Sequence, residues 1–597
     1  MTTGTVEGGG VAFADEPMFS FAFFQKGIHV TTLDDEDDGP TSLDTPGDIS
    51  LREAINHADS GSCITFSTAL DGGTITLALG QLVIAHDLTI DASGLPNGIT
   101  IDANGQVTNH RVLEIQPNTI VALHHLTLTG GNATGVESRG GAIFNNAATL
   151  TLSKCNIFDN ASNSIGGGIY NDGSDSGNAL LTLVNCSLSG NRARNDGGGI
   201  SSDGRDAGNA SLSLTGCCLS RNSAGIFGNG NGGGIHSDGS DAGSVNVSLS
   251  NCSIYGNSAS FSGGIESRGE DNGIAVLSIT SSTIAGNSSD GAGGGISNVG
   301  FSGTATLSVD ASTISRNFAG SLGGGILNNG SGGGNATLTL RDTILAENAS
   351  SSSAVDLGET GNATTTTNGN NLFTSIVGSS IPGPSASVTI VADPLLSALD
   401  DYGGPAPTML PLPGSPALDA ALTSTATADQ RGFPVPIDGD NDGTATPDIG
   451  AAEAPNWDAL TPDDYALLWP TDPDDDGVPF GVEVATALDP FSVDGPNGFQ
   501  PPFTIINGLQ GITLIFGRAT DAPDGTLLKL MRSTDLAADT FNEIFRITPS
   551  GTGMDTEPGD GNIIAPIFST VYSFVDVDAP LPKSYYRLEN EYDPLPL

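Results

Sequence analysis

The chain is 597 residues long, with 83 glycines, 6% aromatic residues and 15% charged residues. That profile suits turn-dense β structure built from small side chains rather than a helical globule. The 68 acidic residues against 19 basic ones leave a net charge of -49, which argues against nucleic acid and anionic lipid as partners and favours divalent cations.

Residues 1–27 read as a disordered lead-in. They carry no basic region ahead of an apolar core, and the apolar run at 18–24 is too short for a leader. No stretch reaches the ~20 apolar residues that a membrane span needs, so secretion is expected on composition alone, with an extracellular or cell-surface location. A strand is expected from Ile28 to Thr32, followed by an acidic loop at 34–38 and a short amphipathic helix at 50–58. Asp48 or Ser50 would cap that helix, with Leu51, Ala54, Ile55 and Ala58 on one face. Short alternating strands follow at 64–66, 75–77, 82–84, 88–90 and 99–101. A helix laid across the first open rung is one way for a solenoid to protect its end. Ser50-Leu51-Arg52-Glu53-Ala54, set between a Val-Thr-Thr strand and Ile-Thr-Phe, resembles the CSLREA domain at the start of secreted bacterial β-helix proteins. Ile49 stands where that motif has cysteine, so any disulfide of the family there is absent. Residues 28–85 are accordingly assigned to an N-terminal cap.

Between Leu150 and Asn348 one pattern recurs seven times at a spacing of about 30 residues. Its marker, an aliphatic residue three positions before an asparagine, gives Asn160, Asn191, Asn222, Asn257, Asn287, Asn317 and Asn348. A glycine run ending in Ile169, Ile200, Ile235, Ile265, Ile296 or Ile326 lies between consecutive markers. Ten and eight residues before each asparagine stand aliphatic residues, such as Leu150 and Leu152, on one strand face. Five before it stand Cys155, Cys186, Cys217, Cys252, Ser282, Ser312 and Thr343. The inward parity slips by one between these positions, which requires a corner near Lys154, Asn185, Gly216 and Asn251. With the glycine-run strand this makes three strands per turn: a right-handed parallel β-helix of the pectin lyase-like type, over residues 86–369. The cysteines read as a ladder of small core residues rather than a disulfide framework or a metal site. The asparagines read as an inward amide ladder. The Gly-Gly-x-Ile and Asn-marked repeats resemble those of chlamydial polymorphic outer-membrane passenger domains, which implies a fold and little about function.

One polar constellation repeats as well. Asn171-Asp172-Gly173-Ser174-Asp175 returns as Ser202-Asp203-Gly204-Arg205-Asp206, as Ser237-Asp238-Gly239-Ser240-Asp241, and as Ser267-Arg268-Gly269-Glu270-Asp271. Stacked rungs lie about 4.8 Å apart, so two carboxylate columns should stand on one side of the coil. Like charges that close repel unless screened or bridged by a cation. Such a strip could bind Ca²⁺ or polysaccharide, with Arg205 and Arg268 as its positive members; equally, Asp-Gly is ordinary turn chemistry. A glycosidase would need a paired acid and base, and no polygalacturonase-like series of motifs is present. His86, His110, His124 and His125 precede the regular repeats, and His236 stands alone in them. If the protein were a lyase, Asp203, Asp206, Asp238, Asp241 and Arg268 would be its catalytic candidates.

After Asn348 the pattern loosens. The series Asp401-Tyr402-Gly403-Gly404-Pro405, Leu412-Pro413-Gly414-Ser415-Pro416, Asp429-Gln430-Arg431-Gly432-Phe433 and Asp448-Ile449-Gly450-Ala451-Ala452-Glu453 resembles the choice-of-anchor Q domain. The resemblance implies a C-terminal cap over residues 370–455. Within it Asp438, Asp440 and Asp442 precede Gly443, an alternation found in Ca²⁺ loops, although no glutamate closes it. Residues 456–497 form an acidic linker with a fuller motif: Asp472, Asp474 and Asp476, then Gly477 and Glu483, at the EF-hand spacing for Ca²⁺. Its flanks resemble thrombospondin type 3-like linkers. Five short alternating runs from Ile512 to Leu588 predict a small β-sandwich over residues 498–597. The expected protein is a non-catalytic adhesin or extracellular scaffold that binds polysaccharide or cell surfaces with calcium as its cofactor. The alternative is a calcium-dependent polysaccharide lyase or other carbohydrate-active enzyme.

Overall fold

The computed structural model describes residues 27–39, 48–135, 138–225, 228–352, 355–424 and 426–457, and the backbone of eight strands between 504 and 592. The expected Ca²⁺ loop Asp472, Asp474, Asp476 and Glu483 lies outside the described residues.

Strands equivalent in successive repeats pair in parallel and in register, so each repeat is one turn of a parallel β-helix. Four sheets run along it, holding 12, 12, 8 and 10 strands in the order taken below. The first holds the long strands, such as Asn178–Val184, whose alternating burial puts Ala179, Leu181 and Leu183 inside. The second holds three-residue strands such as Ser187–Ser189. The third, of two-residue strands such as Arg192–Ala193, directly follows each asparagine and makes a fourth strand per turn rather than three. The fourth contains the glycine-run strands, such as Ile200–Asp203. A two-residue strand is too short to show alternation, which is why the repeat pattern conceals it.

The corners fall where the parity slips. Lys154, Asn185, Gly216, Asn251, Ser281, Ala311 and Asp342 all have positive φ, as do Asp159, Gly190, Arg221, Gly256, Gly286, Arg316 and Glu347 before the asparagines. Each turn therefore bends twice through a left-handed residue, and the bends aim the cysteine and asparagine columns inward. The Nδ2 of each asparagine donates to Oδ1 of the next, from Asn160 to Asn348, at 3.0 Å. The last, Asn348, donates to buried Asp356, whose other oxygen accepts from Thr374 and Ser375. The backbone N–H groups of Cys155, Cys186 and Cys217 point at the next sulfur at 3.4, 3.4 and 3.5 Å, and Cys252 and Ser282 donate to serine hydroxyls in the same way. All the cysteines are free. The column is thus scaffold, in which a serine oxygen replaces sulfur without loss.

The N-terminal turns join the same sheets. Gly27–Val30 pairs in parallel with Ser62–Phe66, and that strand with Leu88–Asp91, so the long-strand sheet begins inside the segment assigned to a separate cap. The helix Leu51–His57 is held by a capping box in which Ser50 Oγ accepts from Glu53 N and Glu53 accepts from Ser50 N. Ile49, where the family motif has cysteine, packs in the hydrophobic core. Arg52 grips Asp35 through two hydrogen bonds of 2.6 and 3.0 Å and also reaches the carbonyls of Gly80 and Gln81.

At the other end, Asn371–Phe373 and Val388–Ile390 complete the short-strand sheet. Residues 391–424 and 426–457 then run back along the outside of that sheet rather than only closing the end. Pro405 lies against Gly216; Gln430 bonds Ser253 and Thr283; Ala451 bonds Thr313. This strap buries the outward faces of Ser253, Thr283, Thr313 and Ile344, whereas Phe158 in an earlier turn stays exposed. Asp342 is the main clasp: its carboxylate accepts from Asn370 N, Leu422 N, Thr423 N and Thr423 Oγ1 at 2.7–3.1 Å. Asp342→Asn keeps a residue that tolerates the positive φ while placing N–H groups against N–H groups. It should cost about 1–3 kcal/mol, and protease should nick the 420–427 region earlier than in the unchanged chain.

Beyond the coil, the described strands form two antiparallel sheets of four. One holds Thr504–Gly508, Gly511–Gly517, Asn562–Phe568 and Val571–Asp576; the other holds Thr526–Ser533, Asn542–Ile547, Met554–Asp555 and Tyr585–Tyr592. The alternating runs expected there are thus strands, paired antiparallel within two sheets. Among the described residues no helix is long and apolar enough to cross a membrane.

Candidate functional site

In the glycine-run strands the isoleucine and the residue two beyond it point inward, so the next and the fourth residues present their side chains outward. Register therefore builds two outer columns. The first runs Phe144, Tyr170, Ser201, His236, Glu266, Ser297 and Leu327. The second runs Asp172, Asp203, Asp238, Arg268, Val299 and Asn329. The expected carboxylate column exists, and Arg268 ends it. The second expected column exists too: Ser176, Ala207 and Ala242 donate to the carbonyls of Asp206, Asp241 and Asp271 of the following turn. Asp206 and Asp241 sit there with φ of 54° and 55° on exposed turns. Aspartate tolerates that conformation, which accounts for them without a ligand. Of the five candidates, the sheet thus gathers Asp203, Asp238 and Arg268 on one face and leaves Asp206 and Asp241 on the rim.

The face is a chain of internal pairings. Tyr170 is buried, stacks on Phe144 at 5.5 Å, lies under Arg139, and donates its hydroxyl to Asp203 at 2.9 Å. Burial raises the Tyr170 phenol, and the neighbouring carboxylates raise it further. Asp203 also accepts from Arg205 Nε at 3.0 Å and from its terminal nitrogen at 2.6 Å. Burial would raise the Asp203 carboxyl, but the Arg205 bonds and charge outweigh it and hold it below the ordinary value. Arg205 comes within 3.7 Å of Asp238 as well.

His236 is not alone. It is 6% exposed, with Nδ1 2.9 Å from Glu266 and Nε2 3.9 Å from Asp238. Burial by itself would lower its pKa; the charges of Asp196, Glu266 and Asp238 and the Glu266 hydrogen bond override burial and hold it at about 9. The ring is therefore a buried imidazolium at neutral pH. Arg268 in turn is paired with Glu270. Aligning the repeats on their isoleucines would have shown His236 and Glu266 to be equivalent, because they follow Ile235 and Ile265. Counting the histidine as isolated hid that.

Beyond this strip the face opens into a groove of about 420 Å³. Its floor is Glu266, Ser297 and Leu327 beside Arg268, Val299 and Asn329, with Phe261 on one rim and Phe301 on the other. Sequence reading missed it, since neither phenylalanine belongs to the repeat consensus.

A separate acidic group lies on the returning strap. Carboxylate oxygens of Asp419, Asp438 and Asp440 all lie within 4.8 Å of one another. Asp442, expected in this set, instead accepts from Thr444 N, and its own N–H donates to Asp438 and Asp440. Asp419 enters from outside the loop, 19 residues before Asp438. An all-carboxylate donor set suits a hard cation. Nearby, Asp448 and Glu453 are raised to about 8 and about 7, by burial first and then by the surrounding carboxylates. The Asp429–Arg431 pair beside them is buried at 2.7 Å. The polar residues of this segment are thus spent on holding the strap, with Gln430 docked on the coil.

No protein-family model matches the chain, and no curated protein matches it. Among solved structures it is similar to the crystal structure of pectate lyase Pel9A, at 15% identity and a TM-score of 0.42, over 72% of this chain and 97% of that one. A likeness at that level carries no argument about the site; the class of the protein, a parallel β-helix, rests on its strand pairing.

Proposed function

We propose that the protein is a non-catalytic extracellular β-helix, an adhesin or scaffold, that binds polysaccharide or another cell-surface ligand along the outer face of the glycine-run sheet. The observation that supports this is the pairing on that face. Asp203, His236, Glu266, Glu270, Arg205 and Arg268 each have an internal partner of opposite charge. Proton abstraction needs a base that is free to accept, and the imidazole here is held protonated between two carboxylates. Incubation with acidic and neutral polysaccharides and Ca²⁺ should release no new reducing or unsaturated ends. Turnover that Asp238→Asn and Arg268→Gln abolish would overturn the reading in favour of a lyase.

Calcium belongs to the same proposal, as a structural cation at Asp419, Asp438 and Asp440 and at the linker loop from Asp472 to Glu483. Calorimetric titration of the full chain should register Ca²⁺ binding, with one binding event lost in Asp440→Asn and another in Asp476→Asn. Titrations superimposable on that of the unchanged protein would remove the corresponding site.

A further inference from the structure

We infer that the groove between Phe261 and Phe301 is a subsite for an uncharged polysaccharide chain, whose sugar rings stack on the two phenyl faces. The inference rests on the polysaccharide-binding reading and narrows it to a place and a ligand class. Four features carry it.

The two rings are large, apolar and exposed, at 46% for Phe261 and 42% for Phe301, on opposite rims of one strand layer. Exposed aromatics facing across a polar floor are a ligand-site signature rather than a packing one.

Both rings lie over glycines of the next turn. A Cβ on Gly291 would come within 2.3 Å of the Phe261 ring, and one on Gly332 within 2.7 Å of the Phe301 ring. The space each ring occupies exists because the following turn has no side chain there.

The floor between them mixes apolar and hydrogen-bonding surface. Val299 and Leu327 are apolar; Asn329 and Ser262 offer an amide and a hydroxyl. Ser297, 1% exposed, also lines the groove, and its Oγ has no hydrogen-bond partner. A sugar ring presents an apolar C–H face and a rim of hydroxyls, which is the same division of chemistry.

The charge excludes an acidic chain. The groove's carboxylates, Glu266 and Glu270, already hold the neighbouring cations, His236 and Arg268, so no cation among the described residues there is left to meet a uronate. On a chain of net charge -49, a uronate would also meet repulsion at long range.

The test uses the full chain and soluble polysaccharides in affinity electrophoresis and calorimetry. The neutral panel is a β-glucan, a mannan and an unsubstituted xylan; polygalacturonate is the acidic probe, and EDTA removes Ca²⁺. At least one neutral polymer should bind, with little dependence on salt. Phe261→Ala and Phe301→Ala should each weaken binding tenfold or more, and Phe158→Ala, an exposed phenylalanine on another sheet, should not. Binding of polygalacturonate alone, or neutral binding indifferent to both groove variants, would overturn this subsite and leave the broader polysaccharide-binding proposal standing. Binding to none of the polymers would overturn both. Denaturation midpoints of the three variants, compared with the unchanged chain, separate lost contact from lost fold.

Discussion

Asn222→Leu is expected to destabilise the coil by about 2–6 kcal/mol, the sum of two newly orphaned buried groups at about 1–3 kcal/mol each. The side chain accepts from the backbone N–H and the Nδ2 of Asn191 through one oxygen, and its Nδ2 donates to Leu188 O and to Asn257. Leucine has a similar size and can form none of these bonds. The Asn191 N–H and the Leu188 carbonyl then lie inside the protein without partners, far from water that could replace the loss. The effect exceeds that of an ordinary polar substitution because the amide is one link in a column, and both neighbours depend on it. Its reach should still be local, since each turn of a solenoid contacts chiefly the next. Denaturant titration is the measurement, with Thr182→Ala on the solvent side of the long-strand sheet as the control. The control should stay within about 0.5 kcal/mol. Equal midpoints for Asn222→Leu and the control would mean that the amide column contributes nothing to stability.

The contrast between Asn222 and Thr182 also shows why the architecture was legible. Residues that must recur at each turn, the inward leucines and the asparagines, are constrained by identical surroundings, so they repeat in the sequence; the corners recur in conformation, read from the slip in parity, while their residues vary. A period read from them fixes the turn, the inward face and the corner. It does not fix what each turn does differently. Phe261 and Phe301 occur once each and break the pattern, so a search for repetition passes over them. Gln430 and Ser253 are 177 residues apart and meet only because the chain doubles back along the coil. Asp419 joins Asp438 and Asp440 across a fold that no loop spacing encodes. The Asp-Gly-x-Asp loops repeat for a backbone reason, and half of their carboxylates are explained by it. The carboxylate column therefore points to the sheet proposed as the binding face, while the groove lies where that column gives way to valine and asparagine.

The imidazolium at the edge of that groove makes stability depend on pH in a defined window. His236 titrates at about 9 in the folded protein against 6.5 when unperturbed. A cation whose folded pKa is raised stabilises fully below its unfolded pKa, and that contribution is lost as pH climbs through the folded value. The window is thus from about 6.5 to about 9, and the contribution is on the order of 3 kcal/mol at its low-pH end. The fall in stability of the unchanged protein over that range would not by itself identify the group. Asp448 and Glu453, raised to about 8 and about 7, also favour the folded state most when protonated, so they weaken it in the same direction as pH rises. The difference between the protein and its His236→Gln variant isolates the ring, because the strap carboxylates are common to both. That difference should be largest near pH 6 and vanish near pH 10. Asp196, Glu266 and Asp238 all raise the ring's pKa, so Glu266→Gln should move the midpoint of the loss to lower pH while leaving a residue from Asp238 and Asp196. A difference that stays constant from pH 6 to pH 10 would mean that the ring titrates alike in the folded and unfolded chain and is neutral above about 6.5. The face would then offer an unprotonated imidazole between two carboxylates, a group able to act as a catalytic base.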